Sequence, residues 1–310
     1  MTTTNAGHVD TALPASLTPA RVERLATLVA AGAGAQRVTT TSPYTGAPLA
    51  DLPVSTPDDV EEAFARARAA QTAWAAAPVA ERKRIMLRFH DLVLQRQEEA
   101  LDLMQAESGK TRRDAFLEVS DIAITARYYA RSARRLLAPK RRKGAIPVLT
   151  HTTELHHPKG VVTVISPWNY PLSMAAGDAI PALMAGNAVV QKPDTQTALT
   201  ALWAMELMRE AGLPADVWQM VVGRGSSIGG ALMAGADYMM FTGSTASGRQ
   251  TQHRSPDRRP PATPRLHSAP WGRARAVGAD PDPGVHDTAG PGYPMTTSYD
   301  GLPTSPSAPA

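Results

Sequence analysis

Three stretches of this chain combine residues that can hold a phosphorylated ligand or a developing negative charge. In Ile165-Ser166-Pro167-Trp168-Asn169-Tyr170-Pro171 the Asn169 amide stands where a helix is expected to begin, and such a donor can stabilise an oxyanion. Read by itself, Asn169 is more often a turn or capping residue than such a donor. In Gln191-Lys192-Pro193-Asp194-Thr195 a lysine is fixed by the following proline, so that its ammonium can reach ribose hydroxyls or phosphate; the bland equivalent is a surface lysine. The third stretch pairs Gly223-Arg224-Gly225-Ser226-Ser227-Ile228-Gly229 with Phe241-Thr242-Gly243-Ser244-Thr245-Ala246-Ser247-Gly248. Glycines after a strand let backbone approach a pyrophosphate, and a following helix points its first amides at it. Each glycine-rich loop alone is a weak sign.

These stretches need a scaffold that brings them to one edge, and the apolar pattern supplies it. Continuous apolar runs at 161–165, 188–191, 217–222 and 238–241 have strand length, and helical patterns at about 172–185, 197–211 and 226–235 fill the gaps. Such alternation predicts parallel strands with right-handed crossovers, a doubly wound, Rossmann-like α/β sheet that binds ligands at the carboxyl ends of its strands. A helical block precedes it. Thr18 caps a helix with Pro19 in its first turn, Val22, Leu25, Leu28 and Val29 on one face, and an apolar end at 25–33. Residues 43–53 suggest a small hairpin. Thr56 caps the next helix, with Val60, Phe64 and Ala67 inward, and another follows Pro78 through Ile85, Phe89, Leu92 and Val93. A third carries Leu101, Leu103 and Met104 to a break at Ser108 and Gly109, and 114–137 forms a fourth with Phe116, Val119, Ile122 and Tyr129 as its apolar markers.

The expected organisation is a disordered amino terminus at 1–17, a helical part of a cofactor-binding domain at 18–143, a strand-pair ribbon at 144–158, the βα part at 159–249, and a disordered tail at 250–310. That tail holds 12 prolines in 61 residues and neither Lys nor Ile, so no helix or strand of useful length can be placed in it. With 43% hydrophobic residues and no uncharged apolar run of the roughly 20 residues a membrane helix needs, a globular, cytoplasmic protein without membrane contact is expected. A net charge of +4 is mild for 310 residues, and the cluster Lys140, Arg141, Arg142 and Lys143 lacks interleaved aromatics. It reads as a solvated turn rather than a nucleic-acid site. No metal site is expected.

In combination the motifs become specific. From about Thr39 to Arg249 the chain closely resembles the aldehyde dehydrogenase family, in style its succinate-semialdehyde dehydrogenase branch. The likeness rests on Glu107-Ser108-Gly109-Lys110, Pro167-Trp168-Asn169-Tyr170-Pro171, Pro181-Ala182-Leu183-Met184-Ala185-Gly186-Asn187, Lys192-Pro193, Glu210-Ala211-Gly212-Leu213-Pro214 and Phe241-Thr242-Gly243-Ser244-Thr245. The resemblance implies a cofactor domain, a catalytic domain and a ribbon that joins subunits. It implies that Trp168, Lys192, Gly225, Gly229, Phe241 and Ser244 contact NADP or NAD, and that Asn169 stabilises the oxyanion. The neighbouring Ser166, Pro167, Asp194 and Gly243 complete the expected cofactor-binding set. Thr195 stands where many NAD-preferring members have a glutamate that holds the ribose hydroxyls; a neutral residue repels a 2′-phosphate less, which favours NADP.

The resemblance also implies a cysteine nucleophile and a water-activating glutamate in segments after Arg249. Neither the Glu-Leu-Gly-Gly-Lys stretch nor any cysteine occurs in the sequence. A serine would need a base that nothing here supplies, whereas a thiol ionises near neutrality. The expectation is therefore an incomplete cofactor domain, its catalytic domain absent, that turns over no aldehyde by itself. Pro256, Pro260 and Pro261 should limit the helix after Gly243 to about two turns, with the sheet's next strand missing. A tail that begins in mid-motif is the expected product of a shifted reading frame, in which case another frame beyond the Arg249 codon encodes the missing motifs. A non-catalytic protein that docks its ribbon on full-length subunits is the competing expectation, and a homo-oligomer is open to either.

Overall fold

The computed structural model describes residues 17–144 and 150–254, together with positions 14, 146, 266 and 267. All of them fall in one compact unit, Met1–Arg273; a second unit, Ala274–Ala310, lies outside the described residues, as do most of the expected disordered termini.

The helical block forms for local reasons that the sequence states. The Thr18 hydroxyl accepts the Arg21 amide at 3.2 Å to start α1 (Pro19–Ala26). This helix is shorter than its apolar pattern, because the Ala30 amide donates to Met220 O at 2.7 Å and Val29 bridges Met220, drawing the chain onto the sheet edge. The hairpin is β1 (Arg37–Thr41) against β2 (Pro48–Pro53), antiparallel, and it starts earlier than the turn residues suggested. Thr56 and Asp59 build a capping box on α2 (Pro57–Ala76), each satisfying an amide the other leaves open. Then come α3 (Val79–Gln95), α4 (Gln97–Ser108), closed by Gly109 in the left-handed region at φ 72°, and α5 (Arg112–Leu136), capped by Thr111. On α5 the core face is carried by Ala115, Glu118, Val119, Ile122, Ala123, Ala126, Ala130 and Ala133. Phe116, one of the apolar markers of this helix, is 48% exposed, since it lies about 100° around the helix from Ala115.

The basic cluster is a strand rather than a turn. Lys140–Arg142 (β3) pairs antiparallel with Thr152–Glu154 (β4), and Arg142 bonds Glu154 at 2.6 Å, so the ribbon begins at 140 rather than 144. Residues 145 and 147–149 lie outside the described residues.

The main sheet holds β5 (Val161–Ile165), β6 (Ala188–Lys192), β7 (Trp218–Met220), β8 (Tyr238–Phe241) and β9 (Leu266–His267) in the spatial order β7-β6-β5-β8-β9, all parallel. The connecting helices are α6 (Pro171–Met184), α7 (Ala198–Glu210) and α8 (Gly225–Gly235), and α9 (Thr245–Arg254) follows β8. Residues 161, 162, 164, 189 and 190 are valines within 2% of full burial, as a sheet covered on both faces requires. Helices α6 and α7 pack with α1, α3, α4 and α5, whereas α8 packs with α2. Two expectations about the end of the sheet are corrected. Helix α9 continues beyond residue 249 to Arg254, and β9 adds a two-residue partner to β8 where no further strand was expected. Among the described residues no helix is long and apolar enough to cross a membrane.

Candidate functional site

Parallel register brings the chemically suggestive residues to one edge. Ile165 of β5 stands between Lys192 of β6 and Phe241 of β8, and Gln191 stands beside Met220 of β7. Strands lie about 4.8 Å apart, so the turns after β5, β6 and β8 leave from adjacent columns and the turn after β7 from the next. The chain runs outward from β5 to β6 and β7, then returns to β8 on the other side of β5. Such a reversal is where open sheets of this kind bind ligands.

At this edge the helix amino ends differ in what covers them. The Leu172 and Ser173 amides of α6 both donate to Oε2 of Glu118, at 3.0 Å each, and Glu118 is 1% exposed. Its other oxygen takes the Lys110 ammonium. On α7, the Leu199 amide donates to Oε1 of Glu107 at 2.7 Å, while the Thr200 amide and hydroxyl donate to Oε2 at 2.8 and 2.6 Å. Burial pushes the Glu107 carboxyl up to about 8, against the pull of those Thr200 and Leu199 bonds. On α8 the picture changes. Arg224 makes no side-chain cap, Gly225, Ser226 and Ser227 are exposed, and a Cβ added at Gly225 or Gly229 would meet nothing within 4 Å. The positive end of α8 is therefore open, with a smooth glycine face beside it. On α9, Ser244 Oγ accepts the Ser247 amide at 3.2 Å.

The other expected residues take distinct places. Trp168 is 58% exposed, and the exposed Asn169 side chain bonds nothing else among the described residues, while its carbonyl accepts from Lys110 Nζ at 2.8 Å. Pro167 is half-buried between them and Ser166. Ser166 lies beneath the edge rather than on it: its buried hydroxyl accepts from Gln191 Nε2 at 3.3 Å, and Gln191 Oε1 in turn accepts from Trp218 Nε1 at 2.9 Å. Lys192 is partly buried with Nζ 3.2 Å from Pro193 O; burial lowers its pKa, opposed by the Asp194 charge. Asp194 accepts the Gln196 amide at 3.0 Å, and Thr195 beside it is half-buried. The Phe241 ring packs on Gly243, where an added Cβ would fall 2.8 Å from it.

Sequence reasoning missed the two capping glutamates. Glu107 belonged to a quoted motif without a role, and Glu118 was unremarked; their amide partners lie 92 and 54 residues onward, so no local pattern announces them. Chemically, an open helix amino end, glycines without obstruction, an exposed indole and a lysine fit an elongated ligand carrying phosphates and flat rings.

Comparison with known proteins identifies the family. Residues 29–263 match the model of the aldehyde dehydrogenase family, a span that starts earlier and ends later than the 39–249 of the sequence reading. A Mycolicibacterium smegmatis protein, named provisionally as an NADP+ succinate-semialdehyde dehydrogenase, is 55% identical over 206 residues, 66% of this chain and 40% of the relative. A Mycobacterium tuberculosis H37Rv protein with a name of the same kind is 50% identical over 211 residues, 68% of this chain and 41% of the relative. The chain thus spans about two fifths of the length of these relatives. Among solved structures, an NAD-dependent benzaldehyde dehydrogenase from Corynebacterium glutamicum superposes with a TM-score of 0.71 at 33% identity, covering 78% of this chain and 54% of that one. An NADP-dependent glyceraldehyde-3-phosphate dehydrogenase from Bacillus halodurans, complexed with NADP, gives 0.67 at 34% identity, covering 71% and 47%.

Proposed function

The chain belongs to the aldehyde dehydrogenase family, and on that premise we propose that its carboxyl-edge crevice is a cradle for a nicotinamide dinucleotide, NADP+ accepted at least as readily as NAD+. The observation that carries this reading is the open, glycine-faced amino end of α8 beside two helices whose amino ends are already filled by Glu107 and Glu118. The phosphate-bearing adenosine half of the ligand has an unplugged dipole there to meet. In this reading Gly225 and Gly229 receive the adenosine half, Lys192 and Thr195 the ribose, Ser244 and Trp168 the pyrophosphate, and Phe241 and Gly243 line the way to the nicotinamide. Asp194 holds the lysine turn, and Ser166 and Pro167 set the start of the Asn169 turn. The Asn169 amide would steady an aldehyde oxygen as negative charge grows on it. When bound, the dinucleotide supplies the hydride acceptor.

The names of the relatives support succinate semialdehyde as the substrate class of the oxidation that this cradle serves. A polypeptide of these 310 residues has no cysteine, so it offers no thiolate to attack the carbonyl, and we expect it to bind dinucleotide without oxidising aldehyde by itself. Four large exposed side chains on α5, Phe116, Leu117, Ile124 and Tyr128, favour a second reading in which the chain docks on another family subunit, a full-length relative or a second copy. Co-purification with such a subunit supports that reading, and isolation as a monomer counts against it.

The test of the first reading is a pair of calorimetric titrations of the purified chain with NADP+ and NAD+. Saturable binding of NADP+, no weaker than that of NAD+, is the expected outcome. Tight NAD+ with negligible NADP+ overturns the cofactor preference, and no binding of either overturns the cradle.

A further inference from the structure

The tetrapeptide Glu107-Ser108-Gly109-Lys110 spans the carboxyl end of α4, and its backbone is tied by hydrogen bonds. Gly109 turns the chain at φ 72°, the Tyr44 hydroxyl donates to its carbonyl at 2.9 Å, and Ser108 Oγ donates back to Met104 O at 2.6 Å. From this fixed segment two side chains reach in different directions. Glu107 fills the amino end of α7, and its own carbonyl accepts from Gln196 Nε2 at 2.9 Å, tying the turn after β6. Lys110 reaches the turn after β5: it pairs with buried Glu118, donates to Asn169 O at 2.8 Å, and lies 4.5 Å over the Tyr170 ring.

We propose that this tetrapeptide is a brace that sets the two cofactor turns against each other, with Lys110 the positioning residue for the Asn169 turn. The geometry explains why a lysine is needed. An ammonium has three donors and a compact charge, enough to satisfy the Glu118 carboxylate, the Asn169 carbonyl and the Tyr170 π face together. With the Asn169 carbonyl held by Lys110, its exposed side-chain amide is left unbonded among the described residues. Removal of the ammonium leaves Glu118 as a buried charge without its cation and frees the turn that it caps. Glu107 acts on the other turn through different atoms, so the two arms of the brace are separable.

This inference rests on the dinucleotide reading for its ligand effect but not for its structural effect, and the experiment keeps the two apart. Lys110→Met and Lys110→Arg are made in the full 310-residue chain, and amide hydrogen exchange is compared with NADP+ and 2′,5′-ADP affinities. The Met variant is expected to speed exchange at Leu172 and Ser173 tenfold or more while Leu199 and Thr200 keep their rates; the Arg variant stays within threefold at all four. NADP+ should bind Lys110→Met at least tenfold more weakly, with 2′,5′-ADP, which lacks the nicotinamide half, within twofold of the unsubstituted chain. Unchanged exchange at Leu172 and Ser173 overturns the proposal, as does equal acceleration at Leu199 and Thr200. If the unsubstituted chain binds neither ligand, the dinucleotide reading fails, and the exchange rates still decide the brace. Lys110→Gln, which keeps a donor but not the charge, serves if the Met variant is insoluble: a smaller change confined to Leu172 and Ser173 supports the brace, and its absence counts against it.

Discussion

Glu107 is a carboxyl taken almost wholly out of water and met by three donors. Desolvation dominates and pushes it from the ordinary 4.5 to about 8, with the bonds from Thr200 and Leu199 pulling the other way and the Asp194 charge adding to the rise. Between those values the folded chain holds a proton that the unfolded chain has released. Its contribution to stability is therefore full below about 4.5 and lost as pH rises through about 8. Melting temperatures of the unsubstituted chain and of Glu107→Gln should diverge with pH, the natural chain losing ground between pH 5 and pH 9; a constant difference would refute the shift. At Thr195 the expectation concerns selectivity. A carboxylate introduced by Thr195→Glu would face a 2′-phosphate at short range, so NADP+ affinity should fall at least about tenfold, equivalent to roughly 1.4 kcal/mol, with NAD+ nearly unchanged in paired titrations. The legible and illegible residues divide here. Lys192, Thr195 and Asn169 sit at strand ends, which an apolar run marks, whereas Glu107 and Glu118 act on amides far along the chain and carry no local sign.

Among the elements, the junction of α2 and α6 depends on one buried cation. Arg82 donates through Nε to Met184 O at 3.1 Å, and through Nη1 to Trp74, Ala75 and Ala77 carbonyls at 3.2, 3.2 and 2.6 Å. These carbonyls stand at the carboxyl ends of α6 and α2, where the helical ladder runs out; Trp74 O also accepts the Ala77 amide at 3.2 Å. Arg82→Ala should strand them in a buried site, at a cost of about 3 kcal/mol or more, seen as a fall of roughly 6–12 °C in melting temperature without loss of helical circular dichroism at low temperature. A fall below 2 °C would contradict the role. Helix starts were readable because Thr18 and Thr56 stand in front of proline and an apolar period. Helix ends and charged strands were not. The end of α1 is set by Met220, about 190 residues away, and β3 is Lys-Arg-Arg, whose strand state comes from pairing with Thr152–Glu154 rather than from any alternation of its own. On α5 the buried face is mostly alanine, so the larger Phe116, an apolar marker of the helix, does not mark the face that is buried.

These 310 residues join a dinucleotide-type edge to a sequence without cysteine. Their sheet order, the uncapped α8 and the family membership support the proposed cofactor cradle, and no cysteine among them matches the attacking group that the resemblance implies. Mixing the chain with NADP+ and succinate semialdehyde should produce no absorbance rise at the reduced-nicotinamide band; steady production of NADPH would mean that another side chain attacks the aldehyde. The most direct test of the account is a titration of the purified 310-residue chain with NADPH, reading the nicotinamide emission. The account predicts a saturable change with one site per chain that excess NADP+ reverses. A response that rises without saturation, or that NADP+ leaves untouched, would contradict it.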